Sequence, residues 1–340
     1  MLGPYVHNID PVIFSVGGVY LWWYGLSYAL GFFNARLFLR RRRNALGLSL
    51  QEVDDLSLFL AAGALAGGRS LVVFNNEWSF YRSHLHLIPA IWLGGLATHG
   101  LIAGGAAGVL LYCAMHRKAV VPVLDALAIP TALILGCGRI GNFIDGQIVG
   151  SVTQVPWAVM FPEVHGFRHP VVLYDGLKNF MLIPLLMWIR SRGVPPGRLA
   201  ATFIFLYASL RIPIDLLREY PITLWGLPTG QTFNIVMSLI GVALLVRSHL
   251  RTSAIPSPLQ VQVPVPVQVP EPAPLKSTQT GPVLARRLAF AAILGCALLI
   301  PSDATRDIPE RYGRRHLGLS YSAMYPPISA TITPPRSQRD

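Results

Sequence analysis

The 340-residue sequence contains few charged residues, because Asp, Glu, Lys and Arg together make up only 13% of it. Soluble globular domains carry about 25% charged residues, so this composition excludes an ordinary soluble domain. Hydrophobic residues account for 52% of the chain. A low charge content together with long apolar runs predicts a polytopic membrane protein.

Cysteine is also scarce. The three cysteines, Cys113, Cys137 and Cys296, have neither the number nor the spacing of a disulfide framework or a metal site. Cys137 lies two residues before Arg139, where a small buried hydrophobic side chain is the better interpretation. We therefore predict that the protein uses no metal and no cofactor.

The sequence lacks a basic leader and a basic surface for nucleic acid. The first ten residues, MLGPYVHNID, contain no basic segment, so we do not expect a cleaved signal peptide. The formal net charge is +12, but the arginines gather between apolar runs and form no basic stripe interleaved with aromatic residues. The expected partner is the lipid bilayer, not a nucleic acid.

Seven apolar segments have the length of about 20 residues that a membrane-spanning helix needs. They lie at residues 16–39, 54–74, 91–113, 121–140, 170–189, 199–218 and 228–247. Lys and Arg favour cytoplasmic loops, and here they are concentrated after the first, third, fifth and seventh spans. The sequence therefore predicts an all-α membrane protein with about seven transmembrane helices, the N-terminus outside and a small loop region on the outer face.

The composition changes beyond residue 250. The stretch PSPLQVQVPVPVQVPEPAP is rich in proline and predicts an extended linker. An apolar run follows at 288–300 and is short for a membrane span, so an eighth span stays open. We predict a seven-span domain over residues 1–250 and a mostly disordered cytoplasmic tail over residues 251–340.

The predicted orientation converts sequence position into depth, because an α-helix rises about 1.5 Å per residue. Spans one to six then each place polar residues in the outer half of the membrane: Tyr24, Arg69, His99, Arg139, Asn142, His169, Tyr174, Asp175, Arg211, Asp215 and Arg218. The inner halves contain almost none, with Asp125 as the main exception. Such groups are costly to bury without partners. We predict a shared polar cavity, open to the outer leaflet, whose excess of arginine suits a phosphate-bearing lipid.

Simpler interpretations exist for single residues of this set. An arginine at a helix end can extend its side chain to the membrane surface. Arg211 and Asp215 are four residues apart and can neutralise each other on one helix face. The glycines of HGLIAGGAAG, residues 99–108, favour close helix packing, although Gly100 could instead leave room for a lipid headgroup beside His99.

Five segments, in order along the chain, resemble one known family: WYGLSYALGF at 23–32, HGLIAGG at 99–105, GRIGNFIDG at 138–146, RHPVVLYD at 168–175 and TGQ at 229–231. Over residues 10–250 the sequence resembles bacterial phosphatidylglycerol–prolipoprotein diacylglyceryl transferase. The resemblance implies transfer of a diacylglyceryl group from phosphatidylglycerol to the lipobox cysteine of preprolipoproteins. A thioether forms and glycerol phosphate is released. It also implies a multi-pass protein of the bacterial inner membrane with its active site facing the outer leaflet.

The same resemblance implies roles for individual residues. Catalytic roles are implied for residues that match the family's YG, HGG, signature and RxxxE motifs, with His99 as the base: Tyr24, His99, Arg139, Arg211 and Asp215. The signature motif also implies substrate binding by Arg139, Asn142 and Gly150. We add further residues of the same outer region as predicted substrate-binding groups: Arg69, Asp145, Gln147, His169 and Tyr174.

The sequence departs from the family at a few of these positions. Where the family usually reads NGE, this chain reads DGQ, so that Gln147 replaces a carboxylate and Asp145 is the residue that could compensate. In the RxxxE motif, Arg211 is kept and Asp215 replaces the glutamate, so that the carboxylate is carried on a shorter side chain. Two alternatives stay open: a lipid-binding or scaffold protein that has lost catalysis, and a transferase with a different acceptor. A transporter is less expected, because polar residues do not continue through to the cytoplasmic side.

Overall fold

A computed structural model describes residues 5–162, 164–219, 223–224, 227–253, 280–302 and 312–325. Within these ranges the helices are α1 Trp23–Arg42, α2 Leu50–Leu71, α3 Trp78–Tyr81, α4 Thr98–Met115, α5 Val120–Ile144, α6 Val171–Ser191, α7 Arg198–Leu216, α8 Thr229–Ser253 and α9 Thr280–Leu298. The strands are short: β1 Tyr5–Val6, β2 Val12–Val16, β3 Val19–Trp22, β4 Val159–Met160, β5 Phe167–Arg168, β6 Thr223–Leu224 and β7 Leu227–Pro228.

The prediction of a helical membrane protein is confirmed. Six helices of the described residues are long and apolar enough to cross a membrane: Leu50–Asn76, Thr98–Met115, Val120–Ile144, Val171–Ser191, Arg198–Leu216 and Thr229–Leu250. Helix α1 takes the place of the predicted first span and has 20 residues, but its second half carries Arg36 and the start of a run of arginines that begins at Arg40. Large apolar side chains such as Leu111, Met181 and Leu239 are more than half exposed on the helix surfaces, as expected for a surface in contact with lipid.

Two predicted spans begin too early, and backbone turns explain both differences. The first was expected from residue 16, but β2 and β3 form an antiparallel hairpin there, and Gly17 and Gly18 at its turn have φ of +56° and +80°. The third was expected from residue 91, but Gly94 and Gly95 also have positive φ, so α4 begins at Thr98. Glycine adopts this conformation without strain, and an apolar run does not show it.

Glycines bring α2 and α4 into backbone contact. A Cβ atom added at Gly104 would lie 2.2 Å from the carbonyl oxygen of Gly63, and one added at Gly100 would lie 2.3 Å from that of Gly67. Such a small-residue interface lets two membrane helices approach closely. Gly100 therefore serves helix packing, which was the simpler of its two interpretations.

The basic residues that follow α1 and α4, and those between α6 and α7, lie together at one end of the bundle, which we call the basic end. Lys118 pairs with Glu52 at 2.6 Å, and the Arg190 guanidinium stacks on the ring of Phe38 at 5.6 Å. Asp125, the polar exception in this half, accepts hydrogen bonds from the backbone N–H groups of Gly197 at 2.6 Å and Ala200 at 2.8 Å. It therefore caps the N-terminus of α7.

Helix α9 differs from the tail that the sequence analysis expected. Arg286, near its start, pairs with Asp55 of α2 at 2.6 Å. Ala297, near its end, is fully buried, and its carbonyl oxygen would lie 2.3 Å from a Cβ atom added at Gly25 of α1. Helix α9 therefore runs along α1 and α2 from the basic end to the opposite end. The apolar run 288–300 alone is short, but the helix begins at Thr280 and its arginine has an acidic partner.

Residues 312–325 were expected to be disordered, but they pack on the β2–β3 hairpin at the end opposite the basic end. They bury an apolar cluster with the hairpin and with residues near 90: Val12, Tyr20, Trp22, Ala90, Leu93, Tyr312, Leu319 and Tyr325. The indole N–H of Trp22 donates to the hydroxyl of Tyr325 at 3.2 Å, and burial raises the pKa of this phenol to about 12. The predicted proline-rich linker falls within residues 254–279. These residues, and residues 303–311 and 326–340 of the predicted tail, lie outside the described residues.

Candidate active site

A group of buried, charged side chains occupies the bundle at the end opposite the basic end, and the carboxylate of Asp175 on α6 is its centre. The Nε of Arg139 donates to Asp175 Oδ2 at 2.6 Å, and Nη1 of Arg211 donates to the same oxygen at 3.1 Å. Lys178 Nζ lies 2.7 Å from the other oxygen. All four side chains are buried, so one carboxylate holds three cations together in a poorly solvated site.

Arg139 is fixed by three structural elements. Besides the ion pair with Asp175 on α6, its Nη1 donates to Oδ1 of Asn142 at 2.9 Å, one turn later on α5. Its Nη2 donates to the hydroxyl of Thr98 at 2.9 Å, at the start of α4. The planar guanidinium therefore has one orientation, as required of a group that receives an anion by paired hydrogen bonds.

The network continues from Arg211 to His99. Arg211 Nε donates to Oδ2 of Asp215 at 3.3 Å, in agreement with the predicted pairing on one helix face. The Nδ2 of Asn234 on α8 donates to the same oxygen at 2.5 Å. The carbonyl oxygen of Asn234 then lies 2.9 Å from Nε2 of His99.

This chain of contacts decides which nitrogen of His99 carries the proton. Asn234 turns its amide nitrogen to Asp215 and its carbonyl oxygen to His99. A carbonyl oxygen only accepts hydrogen bonds, so Nε2 of His99 is the donor. In the neutral imidazole Nδ1 is then the basic nitrogen.

The network carries an excess of positive charge. Three cations, Arg139, Lys178 and Arg211, face two carboxylates, Asp175 and Asp215. All five are buried, where screening by water is weak. The site therefore attracts an anion, and two guanidinium groups held by one carboxylate suit the oxygen atoms of a phosphate.

A family model described as prolipoprotein diacylglyceryl transferase matches residues 11–247. The phosphatidylglycerol–prolipoprotein diacylglyceryl transferase of Geobacter sulfurreducens is 38% identical over 252 residues, which are 70% of this chain and 95% of the relative. The chain belongs to the prolipoprotein diacylglyceryl transferase family. Proteins of the same name from Mannheimia succiniciproducens and Brucella anthropi are each 34% identical, over 73% of this chain and 96% and 94% of their own lengths.

The structure brings together most of the residues that the family resemblance implies as catalytic. His99, Arg139, Arg211 and Asp215 share the network described above, and so does Asn142. Tyr24 lies beside it: its hydroxyl donates to that of Tyr28 at 3.3 Å. A Cβ atom added at Gly141 would lie 2.7 Å from the Cα of Tyr24, so α1 and α5 are in close contact at this depth.

Three other predicted substrate-binding residues, Gly150, His169 and Tyr174, lie together near the start of α6. The N–H of Gly150 donates to the carbonyl of His169 at 3.1 Å, and Nδ1 of His169 lies 3.1 Å from the hydroxyl of Tyr174. Trp157 Nε1 donates to the same hydroxyl at 2.7 Å. These contacts join the loop at residue 150 to the start of α6.

Arg69 has partners other than those expected for a substrate-binding residue. Its guanidinium donates to the hydroxyl of Tyr81 at 2.7 Å and to the carbonyl of Ile88 at 3.1 Å, and it also donates to the carbonyl of Gly94. The Tyr81 ring lies 5.0 Å from it. Arg69 therefore fixes the segment 81–94 to the end of α2, and the structure does not bring it to Asp175.

Asp145 and Gln147, where the chain departs from the family, follow the end of α5. Oδ2 of Asp145 accepts a hydrogen bond from the backbone N–H of Ser302 at 2.8 Å. The N–H of Gln147 donates to the carbonyl of Asn142 at 3.0 Å. Within the described part of the chain, Nε2 of Gln147 is buried without a hydrogen-bond partner.

Sequence reasoning placed Asp175 in the polar cavity but gave it no catalytic or binding role. It missed four other residues of the network: Thr98, Lys178, Asn234 and Tyr207, whose hydroxyl accepts a hydrogen bond from Arg211 at 2.9 Å. A signal was available for Lys178, because a charged residue inside a membrane span marks a functional site by default. Lys178 lies in the predicted span 170–189, and its Nζ contacts the ring of Tyr207 at 4.0 Å. Asn234 gave a weaker signal, because it lies three residues after the matched segment TGQ and carries no charge.

Proposed function

We propose that this chain transfers the diacylglyceryl group of phosphatidylglycerol to the lipobox cysteine of a preprolipoprotein. The observation that carries the proposal is the buried network with excess positive charge, built on the positions that match the family's motifs. Phosphatidylglycerol presents a phosphate diester, which suits the paired guanidinium groups of Arg139 and Arg211.

His99 is proposed as the base. A cysteine thiol has a pKa of about 8.5, so only a minority is thiolate at neutral pH. Nδ1 of His99 takes the thiol proton, and the sulfur attacks the glyceryl carbon that carries the phosphate ester. The new C–S bond forms as the C–O bond breaks, and its electron pair leaves with the phosphate oxygen. The proton held by His99 then returns to the released glycerol phosphate or to water.

Arg139 and Arg211 act on the leaving group in this proposal. Negative charge develops on the phosphate as the C–O bond breaks, and hydrogen-bond donors already aimed at it lower the barrier. Asp175 keeps the two guanidinium groups together. Asn142 orients the headgroup beside Arg139, and Tyr24 on α1 also orients it.

A neighbouring cavity suits the acyl chains. It has a volume of about 150 Å³ and is lined almost entirely by apolar side chains of α1, α2, α4, α5 and α7, among them Phe32, Leu101, Ile134 and Phe203. Tyr28, the hydrogen-bond partner of Tyr24, also lines it. A lipid whose phosphate lies at Arg139 can therefore place part of an acyl chain in this cavity.

We also propose the cellular orientation. Because basic loops favour the cytoplasm, the basic end faces inward and the Arg139 network lies toward the outer leaflet of the bacterial inner membrane. A lipobox segment that emerges on the outer side can reach His99 and phosphatidylglycerol there.

One observation favours a second function, that of a lipid-binding protein without catalysis. Gln147 stands where the family usually has glutamate, and its buried amide nitrogen has no partner in the described part of the chain. If the lost carboxylate is required for the reaction and Asp145 does not replace it, the chain retains lipid binding and loses transfer.

The test is complementation of a bacterium depleted of its own transferase. The chain is expected to restore growth and lipoprotein maturation, while Arg139→Ala fails at equal membrane abundance. Arg192→Ala is the matched control, because Arg192 is exposed at the basic end. If the unmodified chain is present in the membrane but lipoproteins do not mature, the lipid-binding alternative is favoured.

A further inference from the structure

The C-terminal extension reaches the Arg139 network although it lies outside the family match. That match ends at residue 247, and the alignments with the three relatives already take up 94–96% of those relatives' lengths. Helix α9 nevertheless runs to the site end of the bundle, and Ser302 lies four residues beyond its last residue, Leu298. Ser302 there contacts Asn142 and Asp145.

We propose that Ser302 is a positioning residue of the transferase site: it fixes the side chain of Asn142, and through it Arg139, and it holds Asp145. The proposal rests on the transferase function proposed above. It makes the C-terminal extension of this chain part of its substrate site.

The contacts of Asn142 support the proposal first. Nδ2 of Asn142 donates to the Ser302 hydroxyl at 2.5 Å, and Oδ1 accepts from Arg139 at 2.9 Å. Both ends of the amide are therefore held. A flipped amide would turn its N–H groups toward the guanidinium of Arg139, which has only donors. Asn142 is 3% exposed, so water is a poor replacement for the serine hydroxyl.

The contact with Asp145 supports it independently. The backbone N–H of Ser302 donates to Oδ2 of Asp145 at 2.8 Å. An N–H donor stabilises the ionised carboxylate. Asp145 is also the residue that could compensate for Gln147. The carboxylate of Asp145 thus belongs to the DGQ segment that differs from the family and also binds the C-terminal extension.

The helix that precedes Ser302 is fixed by its packing. Before Ser302, Ala297 and Ile300 are fully buried, and Arg286 anchors the start of α9 to Asp55. A serine fixed in this way is suited to orient a neighbouring side chain, because little motion of its own weakens the contact.

The experiment uses the full-length chain with three single substitutions. Ser302→Ala removes the hydroxyl and keeps the backbone N–H that binds Asp145. Ser302→Thr keeps the hydroxyl and tests rescue. Ser322→Ala is the matched control, because Ser322 lies in the same extension and its hydroxyl donates to the carbonyl of Gly18 at 2.7 Å, on the hairpin. Rates are measured against phosphatidylglycerol and against a lipobox peptide and are normalised to folded protein.

We expect Ser302→Ala to raise the KM for phosphatidylglycerol by about tenfold, the size of one lost orienting hydrogen bond. The KM for the peptide is expected to stay unchanged, and Ser302→Thr and Ser322→Ala are expected to resemble the unmodified chain. The proposal would be overturned if Ser302→Ala lowered the amount of folded protein but left both KM values unchanged, or if it changed both KM values equally. So would an equal effect of Ser322→Ala, or a Ser302→Thr variant as impaired as Ser302→Ala.

Hydrogen exchange gives a readout that does not need activity. In Ser302→Ala the backbone amides of residues 142–147 are expected to exchange faster, and in Ser322→Ala they are not. Unchanged exchange in Ser302→Ala would overturn the positioning role even in an active enzyme. If the unmodified chain shows no transfer, the proposed function fails, and exchange at 142–147 still decides whether Ser302 holds this segment.

Discussion

Asp175 determines where the two arginines of the site can lie. Arg139 and Arg211 come from different helices, and their like charges repel in a poorly solvated interior. One carboxylate oxygen accepts hydrogen bonds from both, so the pair stays together before any anion binds. Preorganised donors of this kind need little rearrangement during the reaction.

Arg139 and Arg69, two buried arginines, are expected to respond differently to the same conservative change. Arg139→Lys removes the paired donors of the guanidinium, and we expect kcat/KM to fall by about 10²-fold with normal folding. Arg69→Lys breaks the contacts with Tyr81, Ile88 and Gly94, so thermal stability is expected to fall while kcat/KM per folded protein changes little. Kinetics and thermal unfolding on both variants check this. Normal kinetics for Arg139→Lys would make Arg139 a structural anchor only.

The departure from the family at DGQ is tested by two substitutions. Asp145→Asn is nearly isosteric and removes the charge. We expect it to lower kcat/KM by about tenfold, because the hydrogen bond that residue 145 accepts from the backbone N–H of Ser302 weakens. Gln147→Glu adds a buried carboxylate near Asp145, so no gain in activity is expected. A clear gain for Gln147→Glu from a low baseline would show instead that Asp145 has not replaced the family's glutamate.

At the residue scale, the sequence located a group of polar side chains, and the roles predicted for its members stay predictions. Depth along a span placed His99, Arg139, Arg211 and Asp215 at one level, and the structure joins their side chains in one network. Depth does not give the rotation of a helix about its axis, so it could not separate Arg69 from the others. Asn234 was missed because an uncharged amide in a membrane demands a partner less strongly than a charge does.

At the scale of elements, the helix pair α2–α4 depends on glycine. Gly104→Ala would place a methyl group against the Gly63 backbone, which cannot move aside as a side chain can. We expect a loss of about 1–3 kcal/mol in stability, as for overpacking. Gly295→Ala on α9 is the matched control, because a Cβ atom there meets no atom within 4 Å. Thermal unfolding should show the first variant destabilised and the second unchanged or slightly more stable; equal behaviour would contradict the packing.

The elements were predictable to the extent that apolar length defines them. Helices α5, α6, α7 and α8 lie close to their predicted spans. The starts of α1 and α4 were set by glycines with positive φ, which hydropathy does not reveal. Helix α9 was not predicted as a packed element, because Arg286 and Arg287 shorten its apolar run and their acidic partners on α2 are distant in sequence.

For the whole molecule, α9 changes the expected topology of the chain. If the basic end faces the cytoplasm, residue 251 lies inside and residues 312–325 lie outside with the hairpin. A reporter that is active only outside should be silent when fused after residue 251 and active when fused after residue 325. A matched reporter that is active only in the cytoplasm should give the opposite pattern. Outside activity after residue 251 would contradict the orientation, and silence after residue 325 would contradict the crossing by α9.

The transferase function is tested most directly with purified, full-length protein. Phosphatidylglycerol and a lipobox peptide are supplied, and the peptide mass and the released glycerol phosphate are measured, with the Geobacter sulfurreducens relative run alongside. The expected result is a peptide that gains one diacylglyceryl group on its cysteine. The amount of modified peptide should equal the amount of released glycerol phosphate, and a peptide with serine in place of that cysteine should gain no mass. No modified peptide from this chain, while the relative converts it normally, would contradict the transferase function.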